Sequence, residues 1–260
     1  MIVRLARRIA LDLCRVSLGG DLHERAAEQS LSLPLSRPRA RRIDRMRKAG
    51  ILFVHVPKCA GMAISQALYG MQVKHGTIRW YRQCAPDLLD LPSFAVVRDP
   101  VERFVSAYRY ALAGGTGDNR VSPVFHDVYR RFRGLDEALD HIEAAPSLYE
   151  LDHIFRPQHW YIEGKDGAIG VRSLFCVEDP ALPLFIEAHG GGSMAQVNRN
   201  DAPRVKISSW QADRIRALYG KDVALHAAVV RGETGTWLGR KVKPLHPGGA
   251  PSPESLFGGA

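Results

Sequence analysis

The segment PKCAGMA at residues 57–63 places a lysine in a glycine-containing turn. It follows the apolar run ILFVHVP at 51–57, which is typical of a buried strand. A helix beginning after the turn would present free backbone N–H groups and the positive end of its dipole, and both attract anions. The charge of Lys58 lies at the same place. We therefore interpret the turn as a candidate binding site for a phosphate-like group.

A second anion site is predicted where the apolar run SFAVVR at 93–98 ends. Arg98 ends this strand, and Ser106 stands eight residues further on, in a helix that begins after Asp99. An arginine grips a phosphate through two parallel hydrogen bonds, and a serine hydroxyl could complete the contact. Arg103, on the same helix, is either a further anion ligand or a surface residue paired with an acid. Two anion sites at neighbouring strand ends indicate a ligand with two separated phosphate-like groups, such as a bisphosphorylated nucleotide.

The turn at 57–63 differs from the Walker A loop, GxxxxGK[ST], in which a lysine follows the glycines and a hydroxyl binds magnesium. Here Lys58 precedes Gly61, and no serine or threonine follows the lysine directly. These differences disfavour a small-molecule kinase, which stays as an alternative function. A third alternative is a non-catalytic protein whose basic N-terminus binds anionic lipid, polysaccharide or nucleic acid. Nucleic-acid binding is disfavoured because the sequence has no recognised nucleic-acid-binding motif.

Both anion sites require strands that end at the same edge of a sheet. Apolar runs at 51–57, 93–98 and 169–178 alternate with helical stretches, which indicates an α/β fold with a mostly parallel sheet. In such sheets, ligands bind beyond the carboxyl ends of the strands. Helices are predicted at 61–69, before Gly70, and from Pro100, where Asp99 and Glu102 cap the helix. Another helix is predicted to end at Gly190. The last two are predicted at 209–219, capped by Ser208 and Gln211, and at 221–230.

The two motifs resemble those of a known enzyme family. HVPKCAGMAIS is similar to the 5′-phosphosulfate loop of the sulfotransferases, and VVRDPVERFVSAY is similar to their 3′-phosphate motif. Both sequence motifs are most similar to those of the carbohydrate-type enzymes of sulfotransferase family 2. The resemblance covers about residues 51–230, because it continues more weakly through FRPQHWYI (155–162), LFCVEDP (174–180), VNRN (197–200) and ALYGKDVALHAAV (217–229).

The resemblance implies a P-loop-kinase-like parallel sheet flanked by helices and a reaction without metal. The family transfers the sulfuryl group of 3′-phosphoadenosine 5′-phosphosulfate (PAPS) to an acceptor hydroxyl, here expected to belong to a carbohydrate. The positions carried over are Lys58, Cys59, Ala60, Gly61, Met62 and Ala63 for the 5′-phosphosulfate, and Arg98 and Ser106 for the 3′-phosphate. The family's usual threonine and serine are replaced by Met62 and Ala63. The turn must therefore rely on Lys58 and backbone N–H groups.

The acceptor hydroxyl needs a general base, and histidine is suited to that role near neutral pH. His75, in VKHGT, stands where this family often carries a histidine before its 3′-phosphate strand, so it joins Lys58 as a candidate catalytic residue. His55 lies within the first predicted strand and is expected to be a hydrogen-bonded core residue. His153 and His159 flank the segment FRPQ and either line the acceptor cleft or pack in the protein.

The positive charge of the chain is concentrated at its N-terminus. The net charge is +9, and residues 1–50 contain 12 Lys or Arg against 5 Asp or Glu. We predict a basic arm at 1–50, a sulfotransferase domain at 51–231 and a Gly/Pro-rich, extended tail at 232–260. Within the arm, 30–48 is predicted to be a linker because it combines prolines, serines and basic residues.

Residues 2–16 predict an amphipathic helix, whose apolar residues are Ile2, Leu5, Ile9, Leu13 and Val16. We expect it to pack on the body or on a second subunit of a homo-oligomer, and peripheral contact with a membrane is the alternative. Removal of 1–48 is then expected to leave the nucleotide site intact.

The overall composition, with 45% hydrophobic and 24% charged residues, is that of a globular protein rather than a disordered chain. The four cysteines form no CxxC pair, so we expect neither a disulfide framework nor a zinc site. This favours a reducing compartment such as the cytoplasm. No apolar run is long enough to predict a membrane-spanning helix.

Overall fold

The computed structural model describes residues 11–117, 119–193 and 205–233, and the backbone of 236–237 and 240–241. The strands are β1 (Leu52–Val54), β2 (Ser93–Val97), β3 (Gly115–Thr116), β4 (Asn119–Arg120), β5 (Ser173–Cys176), β6 (Thr236–Trp237) and β7 (Arg240–Lys241). The helices are α1 (Asp21–Glu28), α2 (Arg37–Ala49), α3 (Gly61–Tyr69), α4 (Ile78–Cys84), α5 (Pro100–Leu112), α6 (Pro123–Tyr129), α7 (Leu135–Glu143), α8 (His159–Ile162), α9 (Ala181–Ala188), α10 (Ser209–Leu218) and α11 (Gly220–Val230). Short 3₁₀ helices cover Pro86–Asp90, Leu148–Glu150 and His153–Phe155.

A parallel sheet with the strand order β1-β2-β5 lies at the centre of the molecule. Phe53 pairs with Phe94 across the first two strands, and Ala95 pairs with Leu174 across the next two. Every residue of β1 and β2 is buried. Helix α2 packs against β1, and helices α9 and α11 pack against β5. Burial on both faces explains why these strands are continuous apolar runs rather than alternating ones. The predicted α/β fold with a parallel sheet is confirmed.

The helices that flank the site begin and end at the predicted signals. Gly70 ends α3 in the left-handed conformation, with φ of 63°. The carboxylate of Asp99 accepts hydrogen bonds from the N–H groups of Val101 and Glu102 at 3.0 Å, and Pro100 occupies the first turn of α5. Because β1 and β2 are parallel, the turn at 57–63 and Arg98 both follow carboxyl ends at the same edge of the sheet.

Two apolar clusters stabilise this arrangement. One surrounds the sheet and includes Phe53 and Phe94, whose ring centroids lie 4.9 Å apart. The other lies beneath α5, α6, α7 and α10, where the ring of Phe104 contacts those of Phe155 and Tyr219. Helix α5 therefore carries its site residues on an element whose other face is buried.

The segment predicted to be a linker, 30–48, contains helix α2 instead. Pro38 stands in the first turn of this helix, where a proline's fixed φ and missing N–H are tolerated, so it starts the helix rather than breaking the chain. Ile43 and Met46 lie one turn apart and are buried in the cluster around the sheet. Gly50, with φ of 68°, ends the helix immediately before β1. The linker prediction is wrong for this segment.

Helix α1 is also held by the body of the protein. The Asp21 carboxylate accepts two hydrogen bonds from the Arg156 guanidinium, at 2.8 and 2.6 Å, and both side chains are buried. The Glu24 carboxylate accepts hydrogen bonds from the backbone and hydroxyl of Thr77. Residues 21–49 therefore pack as part of the domain and not as an appendage that ends at residue 50. Removal of 1–48 would unpair Arg156, so the expectation that this leaves the site intact does not agree with the structure.

Most residues at the two ends of the chain lie outside the described part of the structure. Ile2, Leu5 and Ile9 of the predicted amphipathic helix are among them. Of its remaining apolar positions, Val16 is buried in the core, whereas Leu13 is 80% exposed. In the predicted tail, β6 and β7 form an antiparallel pair. Among the helices that the structure describes, none combines the length and apolar character needed to cross a membrane.

We expect Asp21→Ala to lower the free energy of unfolding by about 3–5 kcal/mol, because the Arg156 guanidinium would stay buried without its acidic partner. Urea unfolding followed by circular dichroism measures this change. Asp44→Ala is the matched control, since Asp44 forms an ion pair with Arg47 in which it is 58% exposed. The control should cost less than about 1 kcal/mol. Equal losses in the two variants would contradict the role assigned to Asp21.

Candidate functional site

The turn between β1 and α3 has an unusual backbone. Lys58 and Ala60 adopt the left-handed conformation, with φ of 68° and 57°, which is uncommon for residues other than glycine. Ala60 is the N-cap residue of α3, and no side chain caps this end of the helix. The first N–H groups of a helix have no partner within it. These donors and the helix dipole therefore stay available to an anion, as the sequence predicts.

Gly61 is required by the close approach of His55. A Cβ atom at Gly61 would lie 1.9 Å from Cδ2 of the His55 ring. The ring is buried, and its Nδ1 lies 3.0 Å from the carbonyl oxygen of Val73. Since a carbonyl can only accept, Nδ1 carries the proton. Burial lowers the pKa of His55 to about 4. The predicted core role of His55 is confirmed, and the neutral imidazole packs against Gly61 of the turn.

The ammonium group of Lys58 lies near an aromatic ring and two other cations. Its Nζ lies 4.2 Å from the centre of the Tyr110 ring, which stabilises a cation. Burial lowers the pKa of Lys58 to about 8, and the charges of Arg98 and Arg103 add to this effect. An anion bound at the turn would offset both effects and raise the pKa of Lys58 again. Tyr110 was not predicted from the sequence.

Arg103 is neither an anion ligand nor a surface residue paired with an acid. Its guanidinium is buried and donates to the carbonyl oxygen of Pro57 at 3.1 Å, of Ile154 at 3.2 Å and of Arg156 at 2.6 Å. Both readings of Arg103 from the sequence are therefore wrong. The side chain joins the start of the turn to the segment around residue 154.

Gln158 makes a second buried connection. Its side-chain amide bonds both backbone groups of Arg98, accepting from the N–H and donating to the carbonyl, each at 2.9 Å. The same Oε1 lies 3.3 Å from Sγ of Cys59. Gln158 thus links the turn to the end of β2. Burial raises the pKa of the Cys59 thiol to about 12, so this residue is a neutral packing group rather than a side-chain ligand.

Arg98 is exposed to solvent over 29% of its side chain. Its guanidinium donates to Oε2 of Glu102 from Nε at 3.2 Å and from Nη2 at 3.0 Å. The Glu102 carboxylate therefore pairs with Arg98 in place of the predicted capping box. Ser106 lies half-buried on the same helix.

A cavity of about 1310 Å³ brings the predicted residues together. Its lining includes Lys58, Arg98, Ser106, His75 and His153. The two motifs and the predicted base therefore face one space, although they are distant in the sequence. Ala60, Gly61 and Met62 also border it, whereas Cys59 and Ala63 are buried beside the turn.

The His75 ring contacts two other histidine rings at this cavity. The His75 ring lies 4.1 Å from that of His55 and 4.5 Å from that of His153, centre to centre. Nδ1 of His75 lies 3.2 Å from the carbonyl oxygen of His55, so Nδ1 carries the proton and Nε2 is left to accept one. Burial, with His55 and His153 nearby, lowers the pKa of His75 well below its usual range.

The other two predicted histidines differ from each other. Nδ1 of His153 lies 2.7 Å from Oδ1 of the buried Asp152, which orients the ring at the edge of the cavity. His159 is not among the described residues that line the cavity, and its Nδ1 lies 2.7 Å from Oδ1 of Asp222 in α11. His159 thus belongs to the packing of α11, while His153 lines the cavity.

The hairpin of β3 and β4 covers Met62, a contact that was not predicted from the sequence. The Asn119 amide in β4 donates to Sδ of Met62 at 3.2 Å, and the Tyr110 hydroxyl donates to the Asn119 carbonyl at 2.7 Å. The glycine-rich segment at 114–117 was a signal for this hairpin, but its partner could not be deduced. The position that departs from the sulfotransferase pattern is therefore filled by packing against β4.

Comparison with known proteins supports the resemblance of the two motifs. Residues 41–165 match the family model described as the sulfotransferase family. Neither a curated protein nor a solved structure matches the chain. The matched residues contain the turn, His75, Arg98 and Ser106, and they end before β5 and α11.

Proposed function

We propose, from the match of residues 41–165 to the sulfotransferase family model, that the chain transfers the sulfuryl group of PAPS to a hydroxyl group of a carbohydrate acceptor. The observation that carries the proposal is the convergence of Lys58, Arg98, Ser106 and His75 on one cavity. Sulfuryl transfer needs a bound donor, stabilisation of charge on the leaving oxygen and removal of a proton from the acceptor. The described residues provide a group for each.

The residues at the turn fit the donor's 5′-phosphosulfate. The N-terminus of α3 has no side-chain cap, and Lys58 has a pKa that an anion would raise again. Arg98 and Ser106 are the corresponding groups for the 3′-phosphate. When bound, PAPS would supply the activated sulfuryl group. No hydroxyl at positions 62 and 63 contributes, so the first N–H groups of α3 carry more of the binding than in the family pattern.

Lys58 would stabilise the transition state. The ammonium group lies in a partly buried, cationic environment, where an interaction with a developing negative charge is stronger than in water. Because Lys58 belongs to the turn that also supplies the N–H groups, its charge is held beside the bound phosphate. We therefore expect the charge of Lys58 to affect the rate of sulfuryl transfer more than the affinity for the nucleotide.

His75 would remove the proton of the acceptor hydroxyl. Its lowered pKa keeps the imidazole neutral at physiological pH, and the hydrogen bond from Nδ1 to the His55 carbonyl leaves Nε2 as the acceptor. His153 is a second candidate, because the contact with Asp152 fixes its Nδ1 in the same way. The two rings are in contact, so both face the same part of the cavity.

We expect Arg98→Ala to weaken the binding of adenosine 3′,5′-bisphosphate by roughly 2–3 kcal/mol, because a charge-assisted contact with the 3′-phosphate is lost. Calorimetry measures the change, with adenosine 5′-monophosphate as the ligand that lacks this phosphate. Arg133→Ala is the matched control, since Arg133 forms the same type of i,i+4 pair with Glu137 but is 89% exposed. A variant that keeps the wild-type preference for the bisphosphate would show that Arg98 does not bind the 3′-phosphate.

We expect Lys58→Met to lower kcat/KM for sulfuryl transfer by roughly 100-fold or more, and to change the affinity for adenosine 3′,5′-bisphosphate far less. The physical reason is that the charge matters most while the leaving oxygen becomes anionic. Transfer from PAPS and calorimetry with the product provide the two values. Lys48→Met, at the exposed end of α2, should change neither. Equal losses in rate and affinity would instead make Lys58 a phosphate anchor.

We expect His75→Asn to reduce the rate of transfer by about 10²–10⁴-fold at pH 7, with the affinity for the bisphosphate retained, because the general base is lost. Since the pKa of His75 lies well below its usual range and bound PAPS would raise that of Lys58, the wild-type rate at saturating PAPS should stay level as the pH rises from 6 to 8. His153→Asn is the comparison. A large loss there with near wild-type activity in His75→Asn would assign the base to His153.

A further inference from the structure

The ammonium of Lys58 contacts an aromatic ring rather than a carboxylate. Its Nζ lies 4.2 Å from the centre of the Tyr110 ring, and Tyr110 lines the same cavity. Arg98, Arg103 and Arg109 repel this ammonium, and no carboxylate in the described part of the chain is among the groups that act most strongly on it. A ring face attracts a cation without cancelling its charge, so Lys58 stays available to an anion.

A lysine does not by itself fix the position of its charge. The ammonium stands at the end of a flexible four-carbon stem, and holding this stem in one conformation costs side-chain entropy. Repulsion by the neighbouring arginines favours conformations that move the ammonium of Lys58 away from the turn. In the family pattern, hydroxyl groups at 62 and 63 would share the contact with an anion, but Met62 and Ala63 have none. The position of the Lys58 charge therefore matters more in this chain.

The ring of Tyr110 is held in place by the hairpin of β3 and β4. Its hydroxyl donates to the carbonyl oxygen of Asn119 at 2.7 Å. Gly115 permits this arrangement, because a Cβ atom there would lie 2.2 Å from the same oxygen. Burial raises the pKa of Tyr110, so the hydroxyl keeps its proton and remains a donor at physiological pH. Helix α5 and the hairpin thus fix the two ends of the side chain.

The contacts of Tyr110 lead back to the turn. The side-chain amide of Asn119 donates to Sδ of Met62, so the ring and the hairpin contact both ends of the segment 58–62. Tyr110 stands two residues beyond the segment VVRDPVERFVSAY, so the 3′-phosphate motif does not include it. We propose that Tyr110 is a positioning residue for sulfuryl transfer, whose ring keeps the ammonium of Lys58 at the turn. This inference rests on the proposed function for the reaction, whereas the contact is measurable in the protein without ligand.

The variants that test this role separate the ring from its hydroxyl. Tyr110→Leu and Tyr110→Met remove the ring and keep most of its apolar volume, and two such variants are made in case one does not fold. Tyr110→Phe keeps the ring and loses the hydrogen bond to Asn119. Trp210→Leu is the matched control. The Trp210 ring centre lies 5.4 Å from Cζ of Arg214, but Trp210 is 60% exposed and is not among the described residues that line the cavity.

The first measurement is NMR of the full chain without ligand, labelled with ¹³C at the ε-carbon of lysine. The Lys58 signal is identified by its absence in Lys58→Met. We expect a ring-current shift of its ε-protons to higher field in the wild type, in Tyr110→Phe and in Trp210→Leu. Tyr110→Leu and Tyr110→Met should remove this shift and lower the pKa of Lys58 by about 0.5, because the ring no longer stabilises the cation.

Either of two NMR results would overturn the inference. The ε-protons of Lys58 would keep their shift without the ring if the ammonium did not lie over it. The pKa of Lys58 would rise in Tyr110→Leu and Tyr110→Met if the ring acted only by excluding water from the ammonium.

The second measurement compares the rate of PAPS hydrolysis with the affinity for adenosine 3′,5′-bisphosphate. Hydrolysis uses water as the acceptor, so it has the same leaving group and needs no identified sugar. We expect the loss of the ring to lower kcat/KM about tenfold and the affinity less than about threefold, and Tyr110→Phe to restore most of the rate. Equal losses in rate and affinity would overturn the inference, because Tyr110 would then support the nucleotide site as a whole. A wild type that does not bind the bisphosphate would refute the proposed donor, while the NMR result would still decide whether the ring holds Lys58.

Discussion

The buried guanidinium of Arg103 determines how the site is assembled. A buried cation is costly unless its donors are satisfied, and those of Arg103 bind the carbonyl oxygens of Pro57, Ile154 and Arg156. These acceptors fix the start of the turn at 57–63 against the segment that carries His153. Since Arg103 stands on α5 with Ser106, the same side chain also sets the turn relative to the candidate 3′-phosphate site. Gln158 adds a second connection between the turn and β2.

The elements predicted correctly are those with local signals. The apolar runs of β1, β2 and β5, the Asp99-Pro100 start of α5 and the Ser208–Gln211 capping box all lie within short stretches of sequence. Helix α2 was missed because only Ile43 and Met46 mark its buried face, while its proline and basic residues are also typical of a linker. Thr77, which accepts a hydrogen bond from the Trp80 N–H, was an unused signal for the start of α4.

The residues of the candidate site could be predicted from the sequence, but the side chains that hold them in place could not. Lys58, Arg98 and Ser106 were identified from the two motifs and His75 from the family resemblance, and the structure brings all four to one cavity. The roles of Arg103 and Gln158 depend on partners about 50 to 100 residues away, which no local pattern encodes. The same limit applies to the arm. Its excess positive charge predicted an appendage, whereas contacts such as Asp21 with Arg156 make it a wall of the cavity.

We infer that the turn at 57–63 and the start of α5 form one site for a bisphosphorylated nucleotide. A crystal structure of the full chain with adenosine 3′,5′-bisphosphate tests it most directly. We expect the 5′-phosphate on the N–H groups of 60–63 beside Lys58, and the 3′-phosphate on Arg98 and Ser106. Arg103 should still bind its three carbonyl oxygens. A nucleotide bound elsewhere, or a phosphate held by Arg103 with the turn displaced, would contradict it.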